Sequence, residues 1–288
     1  MRAWIIGLTV FIATSCGAAN GQPPYSSLVV FGDSLSDTGN TFAAVGIPPA
    51  ETYFQGRYSN GPVWIDFLQG RLGLADDRVL NLAVGGSQTG QGVEEPPSGI
   101  FETPPGLVLP TVGFQIHQYL ATAVVDPDQL TIVGGGSNDL LTAKSPFQIA
   151  TNLDSHVRQL AAAGADEFLV PAIPPVGSTP LVNGGFQGFL LNLQTWRTNR
   201  LINRRMDAIE VELGVTIHRL DTFGLGLAGI FAPQLFGFTN TTNAALDDIA
   251  QGLITPEEGA SYFFWDVLHP TSKAHEILAD TALLILLF

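Results

Sequence analysis

The sequence predicts an α/β fold, a three-layer α/β/α sandwich of doubly wound type around a five-stranded parallel sheet. Three observations predict it. Short runs rich in Val, Ile and Leu alternate five times with longer helical patterns along the 288 residues. Those runs are apolar at successive positions, so both faces are buried, as in a parallel sheet covered on each side by helices. Apolar residues make up 45% of the chain and charged residues 13%, which supplies a large core and rules out a disordered chain.

Taken in order, residues 1–19 read as a secretory signal peptide. Arg2 supplies the positive charge, residues 3–13 the apolar run, and Ser15 to Ala19 the small residues of a cleavage site. The run is shorter than the roughly 20 residues a membrane span needs. Removal of the leader places the protein outside the cytoplasm: secreted, periplasmic or at the cell surface. The only cysteine, Cys16, makes a lipidated N-terminus the lesser alternative. Cleavage after Ala19 leaves no thiol for a disulfide, so the core alone has to hold the fold.

Residues 24–288 read as one domain. Strands are expected at 27–31, 79–84, 130–134, 167–173 and 215–220. Helices are expected at 62–74, 114–124, 145–163, 190–213 and 272–287, the last capped by Thr271. Residues 90–106 and 224–255 read as long loops, and Phe101, Phe236 and Phe238 within them as candidates for an apolar acyl site. Acidic residues outnumber basic ones 26 to 12, for a formal charge of −14, which repels a nucleic-acid backbone and excludes it as the main partner.

Ligands of open parallel sheets bind beyond the carboxyl ends of the strands, so those ends carry the functional information. The first strand ends in Gly32-Asp33-Ser34, the second in Gly85-Gly86-Ser87 and the third in Gly136-Ser137-Asn138-Asp139. Asp266-Val267-Leu268-His269-Pro270 leads into the last helix. Acyl transfer needs a hydroxyl nucleophile, a base, an acid that orients the base, and donors for the oxyanion. Ser34, His269 and Asp266 can fill the first three roles. The backbone of Ser34, a glycine of the Gly85-Gly86 pair and the Asn138 amide can supply the donors. Each piece alone is explained as well by a turn, a helix cap or a packing residue; four in order, each at a strand end or before the last helix, form a constellation.

These blocks resemble the GDSL or SGNH hydrolases, whose serine, glycine, asparagine and histidine lie in four separated segments. The likeness rests on Phe31-Gly32-Asp33-Ser34-Leu35-Ser36-Asp37, Asn81-Leu82-Ala83-Val84-Gly85-Gly86, Gly136-Ser137-Asn138-Asp139 and Asp266-Val267-Leu268-His269. It implies a flavodoxin-like sheet, a Ser34–His269–Asp266 triad, and an oxyanion hole of Ser34, Gly86 and Asn138, with Gly85 as the alternative register. Two further stretches, residues 56–64 and 236–240, look like the branch that holds exported bacterial lipases, phospholipases and haemolysins. The implied activity is a serine esterase or lipase acting on a small-molecule or lipid ester, with transient contact with lipid surfaces, no cofactor, no metal and no partner protein. An acyltransferase using the same site, or a binding or adhesion module without turnover, are the alternatives.

Other chemistries fit less well. No serine has the Gly-x-Ser-x-Gly context of an α/β-hydrolase elbow, and no His-Glu-x-x-His is present. A glycosidase with paired carboxylates leaves the three glycine-rich strand ends unexplained. His117, His156, His218 and His275 are assigned to structure.

Overall fold

The apolar runs form five strands in the computed structural model, which describes residues 24–98, 103–182 and 184–288. The expected leader, Cys16 and Phe101 lie outside these residues. The strands are β1 (Leu28–Phe31), β2 (Val79–Asn81), β3 (Leu130–Val133), β4 (Glu167–Pro171) and β5 (Thr216–Leu220). All pair in parallel, in the order β2-β1-β3-β4-β5.

Side chains alternate across each strand, which sorts the apolar residues into two cores. Val29, Phe31, Val133, Phe168 and Ile217 meet three helices on one face: α2 (Val112–Thr122), α3 (Pro146–Ala162) and α4 (Gly185–Leu213). Leu28, Val30, Leu130, Ile132 and Leu220 meet α1 (Trp64–Leu72) and α6 (Ser272–Leu287) on the other. The start signals are local. The Ser145 hydroxyl accepts from Gln148 N–H ahead of Pro146, and the Asp66 carboxylate accepts from Val63 N–H at 2.8 Å. Among the described residues no helix is long and apolar enough to cross a membrane.

Two regions differ from the sequence expectation. Residues 224–255 are not an open loop: they contribute most of α5 (Thr222–Phe231), a strand at Asn240–Ala244 that pairs in parallel with Tyr262–Phe264, and a helix at Ala245–Ala250. The glycines that hide the helical period in α5 allow close packing, since a Cβ at Gly229 would stand 2.7 Å from the Phe263 ring. Within residues 90–106, Val93–Glu94 pairs with Leu109–Pro110 as a short antiparallel ribbon. Helix α4 also begins earlier than expected, at Gly185.

In this strand order the chain turns outward in opposite directions after β1 and β3, which opens a crevice at their carboxyl ends. Gln115 of α2 pins the β1 side of that crevice. Its side-chain amide pairs with the Gly32 backbone as a peptide would, accepting from Gly32 N–H at 3.0 Å and donating to Gly32 C=O at 2.9 Å. The same Nε2 donates to the Ser87 hydroxyl at 3.0 Å. Gln115→Ala leaves a buried Gly32 N–H without this acceptor, at an expected cost of about 1–3 kcal/mol. Equilibrium urea unfolding of the variant beside wild type checks this; equal midpoints would assign Gln115 no such role.

Candidate active site

The chain turns sharply after β1. Ser36 N–H and Asp37 N–H both donate to Asp33 C=O, at 3.0 and 3.1 Å, and Leu35 N–H donates to the Asp33 carboxylate at 3.1 Å. This turn carries Ser34 past the edge of the sheet, where it remains buried. The Trp64 indole N–H on Ser36 Oγ and the Asn81 amide on Ser36 C=O hold the far side of the turn.

The partner segment comes from the other end of the chain. Leu268 N–H and His269 N–H donate to Asp266 Oδ1 at 2.7 and 2.6 Å, a tight turn that presents the imidazole. His269 Nδ1 lies 2.7 Å from Asp266 Oδ2, and its Nε2 lies 2.8 Å from Ser34 Oγ. An ionised carboxylate only accepts, so Nδ1 carries the proton and Nε2 is left to accept from the Ser34 hydroxyl. Burial works to raise the Asp266 carboxyl, but the His269 charge and the hydrogen bonds on both oxygens outweigh it and hold the group below the usual carboxylate range.

Sequence reasoning passed over two tyrosines here. The Tyr53 hydroxyl donates to Asp266 Oδ2 at 2.7 Å, the same oxygen that faces His269. The Tyr58 ring lies 5.0 Å from the His269 ring, tilted by 38°. Tyr58 falls in the stretch 56–64, whose likeness to one branch of the family was its only signal. Nothing local marks Tyr53, 213 residues from its partner. Around them, Ser59 Oγ donates to Pro270 C=O, Asn60 Oδ1 accepts from Ser272 N–H, and Ser272 Oγ donates to Pro62 C=O, all at 2.8–2.9 Å.

Three residues that offer candidate donors line a cavity with Ser34. The Asn138 amide uses one proton on Ser87 C=O at 2.8 Å, which fixes its plane and leaves a second proton. Gly85 N–H donates to Asp37 Oδ2 at 2.9 Å and Thr41 Oγ at 2.7 Å. Gly85 N–H is thereby engaged, which leaves Gly86 as the candidate donor of the pair, although both glycines line the cavity beside Ser34. Gly86 has φ +80°, a left-handed conformation that side-chain-bearing residues rarely adopt. Ser34, Gly86, Asn138 and His269 all line one small cavity of about 30 Å³. Asp139, next in sequence, accepts from Thr89 N–H at 2.9 Å and Thr89 Oγ at 2.7 Å, tying the third segment to the second.

On the other side of Ser34 lies a larger cavity of about 110 Å³ whose walls are almost wholly apolar, among them Val176, Leu225, Ile230, Phe236, Phe238 and Phe263. Phe236 and Phe238 thus do reach a cleft beside the serine. His275 lines it too, a departure from its reading as a purely structural residue. It is buried, and neither ring nitrogen has a partner among the described residues. Burial, with the His269 charge adding to it, pushes its pKa down to about 3, so the ring stays neutral. The remaining histidines stand apart: His156 Nε2 donates to Thr89 C=O, His218 faces Glu167, and His117 is exposed.

Asp33, 5% exposed, has its carboxyl raised to about 6, chiefly by burial. Its folded pKa lies above the unfolded value of about 3.9, so its stabilising contribution is complete below that value and is lost as pH rises through about 6. Asp33→Asn keeps an acceptor for Leu35 N–H and never ionises. Thermal melts should show the variant gaining on wild type at about pH 8 and matching it at about pH 4, with the gain opening across the interval between the two pKa values. A constant difference at both pH values would contradict the assignment.

The chain is similar to known proteins over most of its length. Residues 28–282 match the family model described as GDSL-like Lipase/Acylhydrolase. The chain is 26% identical to a phosphatidylcholine-sterol acyltransferase of Aeromonas hydrophila, over 98% of this chain and 96% of that one. It is 28% identical to a GDSL esterase/lipase of Arabidopsis thaliana, over 97% and 93%. It is 26% identical to the thermolabile hemolysin of Vibrio parahaemolyticus, covering 92% of this chain and 65% of that protein. Among solved structures, a mutant of the acetyl-xylooligosaccharide esterase Axe2 from Geobacillus stearothermophilus shares the fold with a TM-score of 0.52 at 13% identity, over 91% of this chain and 94% of that one. With the model spanning nearly all of the described residues, the chain belongs to the GDSL-like lipase/acylhydrolase family.

Proposed function

We propose that the protein is an exported serine esterase or lipase that cleaves carboxylic esters with an apolar acyl group through an acyl-enzyme on Ser34. One observation carries the reading: the unbroken hydrogen-bonded line from Ser34 Oγ through the His269 ring to Asp266. On this reading Ser34 Oγ attacks the ester carbonyl while its proton passes to His269 Nε2. Asp266 stabilises the imidazolium, and the N–H groups of Ser34 and Gly86 with the free amide proton of Asn138 receive the oxyanion. Collapse expels the alcohol, which takes the proton from Nε2. Water, deprotonated by the same nitrogen, then releases the acid and restores Ser34. The apolar cavity supports an aliphatic acyl group as the part of the ester that enters beside Ser34. Export rests on the leader that the sequence predicts at residues 1–19.

A second reading uses the same acyl-enzyme and replaces water by an alcohol. The relative named as a phosphatidylcholine-sterol acyltransferase favours it. Both readings share the first half-reaction, so the acceptor alone separates them.

With p-nitrophenyl esters from acetyl to palmitoyl and with phospholipid, Ser34→Ala is expected to lose at least about 10⁴ in kcat, and an organophosphonate should label Ser34 in the wild type. Equal rates for variant and wild type would end the proposal. An added long-chain alcohol in the same assay diverts product from free acid to ester if the second reading holds.

Tyr53→Phe removes the tyrosine donor on Asp266 Oδ2. A hydrogen bond to a charged group of about 1.5 kcal/mol corresponds to roughly a tenfold fall in kcat, with KM little changed because Tyr53 bonds Asp266 and lines neither cavity beside Ser34. A change confined to KM would move Tyr53 to the binding site instead.

A further inference from the structure

The longest stretch of this chain without an acidic residue lies between Glu167 and Asp207. Helix α4 fills the second half of that stretch. Its buried face, with Gly188, Asn199, Ile202 and Met206, packs toward the body of the protein. The opposite face holds Phe186, Phe189 and Trp196, which are 72%, 62% and 42% exposed, followed by the exposed arginines 197, 200 and 204. Spacings of three, four and seven put these six side chains on one stripe, about 27 Å long at 1.5 Å per residue.

Single exposed apolar residues need no explanation, but large aromatics in series with unpaired cations do. The nearby acids do not neutralise the stripe, because they are engaged elsewhere. Asp207 and Glu210 bind Arg219, and Glu212 binds Arg158. Arg197, Arg200 and Arg204 have no acidic partner within ion-pair distance among the described residues, and the Arg200 guanidinium stacks 4.9 Å over the Trp196 ring. The stripe is therefore a locally cationic, aromatic surface on a protein of charge −14.

We propose that this stripe docks the protein on an anionic phospholipid surface, Phe186 and Phe189 entering the acyl boundary, Trp196 resting at headgroup depth, and the three arginines engaging phosphates. Charge complementarity selects the occupant. The rest of the acidic surface is repelled by such a membrane, so the acid-free part of α4, residues 185–206, also sets the orientation. Guanidinium groups match phosphate oxygens in pairs, and tryptophan favours the membrane interface. The same helix is clamped to the cavity wall. The Asn192 side chain accepts from Gly177 N–H and donates to Ser178 Oγ, both at 2.8 Å, between Val176 and Thr179 of the larger cavity. Docking through α4 thus holds the membrane against the helix that buttresses the acyl cavity. The inference rests on the helix and not on the chemistry of Ser34.

Binding is read without turnover, by co-sedimentation of the purified protein with phosphatidylglycerol-containing vesicles and with phosphatidylcholine vesicles at physiological salt. Wild type should bind the anionic vesicles and release in high salt. Each arginine near such a surface is worth about fivefold, so Arg197→Gln, Arg200→Gln and Arg204→Gln together should weaken binding about a hundredfold. Phe186→Ser with Phe189→Ser should weaken it as well, with the melting temperature of each variant unchanged as the check on folding. Ser34→Ala should bind as wild type does, so a failure of docking and a failure of ester hydrolysis are seen separately. Wild type that ignores both vesicle types, or that binds no better than the triple glutamine variant, would overturn the proposal. So would sedimentation equilibrium showing a dimer that the glutamine substitutions dissolve, since the stripe would then belong to a second copy of the chain.

Discussion

The Asp37 carboxylate never faces the cavity beside Ser34, yet the arrangement around the serine depends on it. Fully buried, it accepts five hydrogen bonds: from Gly39 N–H and Asn40 N–H on one oxygen, and from Thr41 N–H, Thr41 Oγ and Gly85 N–H on the other. A buried charge is costly unless donors replace its water, and charge-assisted bonds of this kind are the strong ones. Four of the five donors belong to the chain just after the Ser34 turn, and the fifth to the glycine-rich segment after β2. One carboxylate therefore sets the distance between the serine and the Gly85-Gly86 backbone. Asp139 repeats the device on the other side through Thr89, and Gln115 closes the gap between Gly32 and Ser87. Three strand ends are cross-braced by side chains where ladder hydrogen bonds no longer reach.

This bracing explains why glycine and small polar residues cluster at the strand ends. At Gly136, φ is +116° and a Cβ would stand 2.6 Å from Ile173. The loops approach one another more closely than side chains permit, and hydrogen bonds take the place of apolar contact. The cavity walls obey the opposite rule: Phe236, Phe238 and Phe263 arrive from the C-terminal third of the chain, and Phe238 and Phe263 meet edge-on at 5.1 Å. A polar, tightly braced rim thus borders an apolar hollow, with Ser34 at the boundary.

Much of this was legible in the sequence because it is local. Each strand announces itself by a run of branched apolar residues, and each strand end by glycine followed by a small polar residue. Ser34, the Gly85-Gly86 pair and Asn138 are found by that logic, Asp266 and His269 by their place before the last helix, and Gly86 is preferred only through the family resemblance; the structure brings the serine, the histidine and the acid into one hydrogen-bonded line. What escaped the sequence is carried by contacts across long separations or by patterns too weak to read. Tyr53 and Gln115 look like ordinary members of a turn and a helix until their distant partners are known. The strand at Asn240–Ala244 has the polar composition of a loop, and α5 hides its period behind three glycines. His275 follows helical spacing correctly into a buried position. Spacing says nothing of whether the wall it joins encloses solid core or a hollow.

Ser34 and His269 stand 235 residues apart, and the segment that carries the histidine is fastened to residues 59–62 by three hydrogen bonds and to Tyr53 by a fourth. The sheet and most of its helices can be written without that segment. A chain still emerging from the ribosome, or one clipped near its end, therefore carries the serine hydroxyl without the imidazole that would activate it. On the proposed function, ester cleavage waits until residues 266–269 have been made and seated against Tyr53 and residues 59–62.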